Sequence, residues 1–281
     1  MTTVPVLVTG ATGNVGRLVV DELVELGTPV RALTVSPRKA ALPEEAEVVK
    51  GYLGRPETLP AALAGVESVY LAPLAATVHE FTELARQAGV RRVVVLSGSN
   101  ADEEPRPGSS GVDFAIVERA VEAAGFEWTH LRPGVFMNNT LGWAEAIRTE
   151  GVVRAAYGDA TQTPIDLSDI AAVAARVLVE DGHVGAKYTL SGPEAITQIE
   201  QVEAIGAALG RPVRFHELSR AQAVREWVSA GVPADIADWL HDGFAETAAH
   251  PQVPTGVVEK LIGRPGKTYA KWAKDNVEAF R

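Results

Sequence analysis

An α/β fold is predicted: a doubly wound parallel sheet followed by a smaller, mostly helical C-terminal lobe. Three observations carry the prediction. Strand-like and helix-like segments alternate over the first 135 residues, the pattern of βαβ units. The strand candidates are apolar along their whole length, as strands covered on both faces must be. The first of them runs straight into a glycine turn and then a helix start.

Each element can be justified in order. Val6-Leu7-Val8 is a short apolar run that ends at Thr9, and Gly10, Gly13 and Gly16 follow it at G-x-x-G-x-x-G spacing. Val15, Leu18, Val19, Leu23 and Leu26 then recur with helical period until Gly27. Val30–Leu33 and Ala46–Val49 read as strands two and three, and Glu57–Leu63 as a short helix after Pro56. Ser68–Ala72 is strand four, Val78–Ala88 a helix closed by Gly89, and Arg92–Ser97 the clearest buried strand. Asp113–Ala124 is a helix closed by Gly125, and Glu127–Leu131 is strand six. The polar stretch Ala101–Gly111 between strand five and that helix reads as a mobile loop beside the site.

Beyond Pro133 the pattern loosens. Helices are expected at Ser168–Val179, Ile199–Leu209, Ala221–Ala230 and within Pro233–Ala248, with strands at Lys187–Leu190 and Phe215–Leu218. The expected division is residues 1–150 for a dinucleotide-binding domain of Rossmann type and 151–281 for a substrate lobe partly interleaved with it.

The glycine turn carries the first functional statement. A strand, a glycine turn and a helix N-terminus form the layout that binds a dinucleotide pyrophosphate. Gly10 allows the tight turn, Gly13 the approach of backbone amides to phosphate, and Gly16 close helix–strand packing. The amides of Thr12, Gly13, Asn14 and Val15 are placed to face the pyrophosphate.

Composition narrows the rest. The chain has 281 residues, 46% of them hydrophobic, a net charge of −10 and no cysteine. The acidic balance argues against unaided nucleic-acid binding. The missing cysteines exclude disulfides, thiolate catalysis and cysteine-held zinc. No apolar run reaches the length of a membrane span, and no leader pattern opens the chain. A soluble, cytoplasmic protein is expected, and a homodimer is allowed.

Further landmarks carry a resemblance. Thr9–Gly16, Leu131–Asn139, Pro164-Ile165-Asp166, Leu261–Pro265 and Lys271-Trp272-Ala273 together resemble the NmrA-like group of atypical short-chain dehydrogenases. That group includes quinone and azo reductases and redox-sensing regulators. The resemblance implies NAD(P) in the first lobe and a substrate pocket shaped by the second.

In doubly wound sheets the ligand lies beyond the carboxyl ends of the strands. Leu53, Ala72, Pro73, Ser97, Pro133 and Phe136 are therefore expected at the cofactor. No acid ends strand two, where an NAD-selective site places one. Relatives that prefer NADP often carry arginine there, and Val35 takes that place. Ser36, Arg38 or Lys39 either reaches a 2′-phosphate or belongs to a solvated turn, and the balance tips towards NADP over NAD. Tyr52 stands where relatives usually have aspartate, and either stacks on adenine or caps the pocket edge.

The chemistry is defined by what is missing. None of Tyr52, Tyr70, Tyr157, Tyr188 and Tyr269 has lysine four residues on, so the Tyr-x-x-x-Lys acid/base pair is absent. Some relatives use a lysine or histidine on the helix before strand six, and Phe114 occupies that place. Ser97 either touches nicotinamide or substrate or is a satisfied strand-end hydroxyl. His79 either lines the pocket mouth or is a surface histidine. His130 reads as a packed core histidine. Ser99, Phe136, Met137 and Asn138, with Asn139, could line a flat pocket, although Phe136 and Met137 could equally be core. Trp143 and Tyr157 lie at the lobe junction. Asp166 and Asp169 read as a helix-capping pair. His216, His241 and His250 show no metal spacing, and no metal is expected.

The reading reached is an NAD(P)H-dependent oxidoreductase acting on a quinone or related flat aromatic, one variant being tailoring of an aromatic natural product. Hydride transfer to such an acceptor depends on proximity more than on a dedicated acid. The alternative is an NAD(P)-binding redox sensor that acts through a protein partner.

Overall fold

In the computed structural model, which describes residues 4–281, the chain forms eleven strands and eleven α-helices. The strands are β1 (Val6–Val8), β2 (Val30–Thr34), β3 (Glu47–Lys50), β4 (Ser68–Leu71), β5 (Arg92–Leu96), β6 (Glu127–Pro133), β7 (Val152–Ala155), β8 (Thr161–Gln162), β9 (Ala186–Leu190), β10 (Ile196–Thr197) and β11 (Arg214–Glu217). The first six helices are α1 (Asn14–Glu25), α2 (Pro60–Leu63), α3 (Val78–Gln87), α4 (Gly111–Ala123), α5 (Ala144–Glu150) and α6 (Leu167–Val179). The rest are α7 (Gln198–Leu209), α8 (Arg220–Ser229), α9 (Ala234–Ala249), α10 (Val257–Ile262) and α11 (Tyr269–Asp275).

Seven strands form one sheet in the order β3-β2-β1-β4-β5-β6-β9, and every pairing in it is parallel. Strand order reverses between β1 and β4, so the crevice of this Rossmann-type sheet opens beyond Val8 and Leu71. Side chains alternate across the sheet as the strand period requires. Val6, Val8, Tyr70, Val94 and Leu131 face α1 and α6, whereas Leu7, Val69, Leu71, Val93 and Val95 face α2, α3 and α4. Burial on both faces explains why these strands read as uninterrupted apolar runs.

The sheet body draws on both sides of residue 150. Strand β9 adds to β6, pairing Tyr188 with Leu131, and helix α6 packs against α1. Helices α5, α7 and α11 gather around a third core of Met137, Ile147, Val202, Ile205, Tyr269, Trp272 and Phe280, whereas α10 packs on α6 and β9 through the sheet core. Two small sheets, β7 with β11 and β8 with β10, belong to that lobe. The helix expected after Pro56 is instead a 3-10 turn, Pro56–Thr58, followed by the one-turn α2, because Pro60 lacks the amide needed to continue the first turn.

Candidate active site

The crevice is built from the ends of β1 and β4. Thr9 is fully buried; its hydroxyl donates to the Tyr70 carbonyl at 3.0 Å and accepts from the Ala72 amide at 2.8 Å. This ties the strands together where their chains diverge. Gly10 then turns with φ +60°, a conformation that costs a side-chain residue about 1–2 kcal/mol. A Cβ on Gly16 would stand 2.3 Å from the Gly10 carbonyl oxygen, so the α1–β1 approach requires glycine.

Helix α1 starts at Asn14 with Gly13 as N-cap, no capping side chain and no acid in its first turn. Its first amides have no intrahelical partner. Exposed Gly13 and Asn14 border the space in front of them, but the Gly13 amide, expected to face a pyrophosphate, donates to the Gly10 carbonyl at 2.8 Å and closes the turn instead. This cradle fits a dinucleotide pyrophosphate, because free amides and the positive helix end both favour an anion.

Around it, Thr12 Oγ1 lies 3.3 Å from Thr34 Oγ1, which accepts the Ser36 amide. Val35 is 56% exposed, and Ser36 and Arg38 are exposed after it, outside any ion pair among the described residues. Tyr52 lies folded over Gly54, where a Cβ would meet its ring at 2.5 Å, and is otherwise exposed. Leu53 is buried beneath that turn, and Ala72 and Pro73 are half-buried at the β4 end.

The ends of β5 and β6 form the opposite wall. The Ser97 amide donates to Leu131 and the Ser99 amide to Pro133, so the two loops run side by side past the sheet. The Phe114 ring lies over Gly98, where a Cβ would meet it at 2.4 Å. An apolar ring thus covers the start of the loop after β5. Exposed Ser99 and half-buried Phe136 lie at this wall.

The remaining candidates are described by their own contacts. The Ser97 hydroxyl, 2% exposed, donates to Glu118 Oε1 at 2.5 Å, so it is committed inward and is not free for nicotinamide. His79 is exposed on the first turn of α3. Met137 is 1% exposed within the third core, which leaves it no ring to flank. Asn138 Oδ1 accepts from Trp272 Nε1 at 3.3 Å, and Trp143 packs against the same core. Tyr157 packs on Leu218 and Ala223, with φ +62° held by its amide donating to Glu217 at 2.7 Å. Asp166 caps α6 through the Ser168 amide, but Asp169 does not share that role. Instead it is fully buried and accepts from Arg264 at 2.9 Å and from the Lys267 amide at 2.6 Å.

Behind the wall lies a charge network absent from the candidates. Arg132 Nε and Nη2 donate to the two oxygens of Glu118 at 2.8 and 2.6 Å, and the same guanidinium grips Asp102. Burial pushes the Glu118 carboxyl up, but the hydrogen bonds from Arg132 and Ser97 outweigh it and hold Glu118 below the usual range. The hydrogen bond from Arg132 likewise lowers Asp102. Glu118, Glu122 and His130 bring ligand atoms within 4.8 Å of one another. Arg132 and Lys187, the latter 3.0 Å from Glu122, already supply the positive charge there. His130 is fully buried and stacked on Trp128 at 4.6 Å; burial lowers its pKa. The sequence clue was a charge on an apolar face: Glu118 sits beside Val117 and Val121 on the buried side of α4.

Asp102 lies within the loop that follows β5. Farther along it, Gly108 reaches α9, where a Cβ would stand 2.6 Å from the Asp235 carbonyl oxygen. The loop is therefore a strap from the sheet body to the C-terminal helices. No helix among the described residues is long and apolar enough to cross a membrane.

Comparison with known proteins agrees with this geometry. The NAD(P)H-binding family model matches residues 10–181. The chain is 40% identical to the (4-alkanoyl-5-oxo-2,5-dihydrofuran-3-yl)methyl phosphate reductase of Streptomyces griseus, over 98% of this chain and 99% of that one. It is 35% identical to the NAD(P)H azoreductase of Xenophilus azovorans, again over 98% and 99%. The NADPH complex of the NADPH-dependent quinone oxidoreductase of Escherichia coli superposes with a TM-score of 0.83 at 28% identity, covering 96% of this chain and 99% of that one.

Proposed function

This chain belongs to the NAD(P)H-binding family, in its NmrA-like branch of atypical short-chain dehydrogenases, and we propose that it reduces flat, conjugated carbonyl acceptors of the quinone type. It is an NAD(P)H-dependent oxidoreductase. The observation that carries the acceptor class is the wall opposite the glycine cradle: the Ser97 hydroxyl is spent on Glu118, and the Phe114 ring lies over Gly98.

When bound, the reduced nicotinamide supplies a hydride. The protein's part is then to bind, orient and exclude water. Free amides at the start of α1 hold the pyrophosphate, and Phe114 and Phe136 offer apolar faces to a planar ring. With Ser97 committed to Glu118 and Phe114 apolar, the hydroxyl of exposed Ser99 is the donor left among the residues placed at this wall, and an alcohol is not a general acid near neutral pH. Acceptors whose added electron pair spreads over conjugated oxygens do not need one, since water protonates the product. A quinone takes the hydride and one solvent proton to give a hydroquinone.

The same logic covers a ring alkene flanked by two carbonyls, the acceptor in the name of the Streptomyces reductase. Hydride adds to the carbon distal to the carbonyls and the charge becomes a doubly stabilised enolate. A simple ketone concentrates charge on one oxygen and lies outside the class. A cytoplasmic location belongs to the same proposal, because the nicotinamide pool is intracellular. The test is cofactor oxidation across a panel of quinones, doubly activated alkenes and simple ketones; turnover confined to the ketones overturns it.

A further inference from the structure

Helices α8 and α9 form a hairpin that stands apart from the cores. Along α9, Ile236, Trp239, Leu240 and Phe244 recur at helical spacing and so share one face. All four are half-buried, and none belongs to any hydrophobic core among the described residues. Gly243 interrupts the stripe, with nothing within 4 Å of where a Cβ would stand. The helix backbone is therefore open between the Trp239–Leu240 pair and Phe244.

The rings are held from behind. His241 is 2% exposed and donates from Nδ1 to the Ala237 carbonyl at 2.7 Å. It meets the Trp227 ring edge-on at 4.8 Å and the Phe244 ring at 6.1 Å, so it braces the two helices against each other. The hairpin thus offers a pre-formed apolar stripe with no partner of its own.

Two connections tie the hairpin to the crevice. The strap leaves the acceptor wall after Ser99 and reaches α9 at Gly108, where an added Cβ would meet the Asp235 carbonyl oxygen at 2.6 Å and the Ile236 amide at 2.7 Å. From the lobe side, Tyr157 packs with Leu218 and with Ala223 of α8. Charge limits what the stripe can take. Asp235, Asp238, Asp242 and Glu246 are exposed along α9, which carries no lysine or arginine, and Arg220 of α8 pairs with Asp238 and Asp242. An apolar stripe bordered by acids favours a neutral group and repels an anion.

We propose that the α8–α9 hairpin holds an uncharged apolar tail of the acceptor, so that the preferred substrate joins a conjugated carbonyl head to such a tail. The proposal rests on the acceptor reading above and adds the part of the molecule that does not react. Trp239 and the gap at Gly243 set the preference.

Steady-state kinetics of the full chain test it, with NADPH and one quinone head carrying a methyl, a pentyl or a carboxylate-ended pentyl chain. Full burial of a methylene gives about fourfold, and a half-buried one about twofold, so wild type is expected to show kcat/KM at least about tenfold higher for the pentyl than for the methyl quinone. The carboxylate-ended chain should lose that gain. Because the pentyl-to-methyl ratio is read within one preparation, loss of folded protein cancels from it. Trp239→Ser should bring the ratio near unity, and Gly243→Gln, which fills open space at an exposed position, should lower it at least about threefold. Equal kcat/KM for the pentyl and methyl quinones in wild type, preference for the carboxylate-ended chain, or an unchanged ratio in either variant overturns the proposal and leaves the acceptor reading standing. A wild type that sediments as a dimer and dissociates in Trp239→Ser assigns the stripe to a second copy of the chain and overturns it as well. If no quinone is turned over, the acceptor reading fails and the proposal falls with it.

Discussion

Arg132 and Glu118 are joined by two parallel hydrogen bonds, 2.8 and 2.6 Å long, between side chains that are 8% and 3% exposed. The pair links the end of β6 to the buried side of α4. Through Ser97 and Asp102 it also fixes the loop after β5. The wall of the proposed acceptor pocket therefore rests on a buried ion pair, and its strength can be measured.

Arg132→Leu leaves the Glu118 carboxylate buried without its main partner. Loss of one member of a buried pair costs about 3–5 kcal/mol. Urea unfolding should show that loss, and Arg132→Leu combined with Glu118→Leu should recover much of it. A single variant as stable as wild type would mean that water already screens the pair.

The same network sets a pH dependence. His130 is held neutral by burial, with a folded pKa below the unfolded value of about 6.5. The unfolded chain therefore binds the extra proton first, and stability falls as pH drops below about 6.5 towards the folded pKa. Glu118 and Asp102 have lowered pKa values, so their contribution is present above about pH 4 and is lost as pH falls through the folded values. Stability measured against pH should decline in two stages, and His130→Phe should remove the upper one. A His130→Phe protein that keeps the upper stage would assign it to another group.

Gly16→Ala should cripple the cofactor cradle, because its Cβ would meet the Gly10 carbonyl oxygen at 2.3 Å. Overpacking of this kind costs about 1–3 kcal/mol, and it falls on the turn that carries the pyrophosphate amides. NADPH fluorescence titration should show at least about tenfold weaker binding. Gly142→Ala, where nothing lies within 4 Å of the added carbon, should bind like wild type.

Gly108→Ala should lift the strap from α9, since φ is +78° and the added carbon would stand 2.6 Å from Asp235. The expected result is a raised KM for the acceptor with unchanged NADPH affinity. A change in NADPH affinity alone would place the strap at the cofactor instead.

Much of the sheet was legible because its strands are apolar on both faces. Val93, Val94 and Val95 could hardly be anything but buried strand. The lobe was harder. β8 and β10 have two residues each and α10 has six, too short for any period to register. β6 runs on to Pro133 because Thr189 and Leu190 of β9 pair with its last residues, a fact of topology beyond local pattern. At the site, the glycine cradle could be read residue by residue, since its chemistry is local. Glu118, Arg132 and Asp102 could not, because sequence separations of 14 and 30 close only when β5, α4 and β6 are assembled. The two readings of Ser97 could not be separated for the same reason: its partner comes from a helix 21 residues away.

The central claim is that this reductase delivers hydride to conjugated acceptors without a proton donor of its own. Steady-state NADPH oxidation tests it most directly, with a quinone and a simple ketone compared across neutral and alkaline pH. The account predicts quinone turnover with a flat pH profile and no ketone turnover. Ketone reduction at a comparable rate, or quinone turnover that titrates with a single protein group, would contradict it.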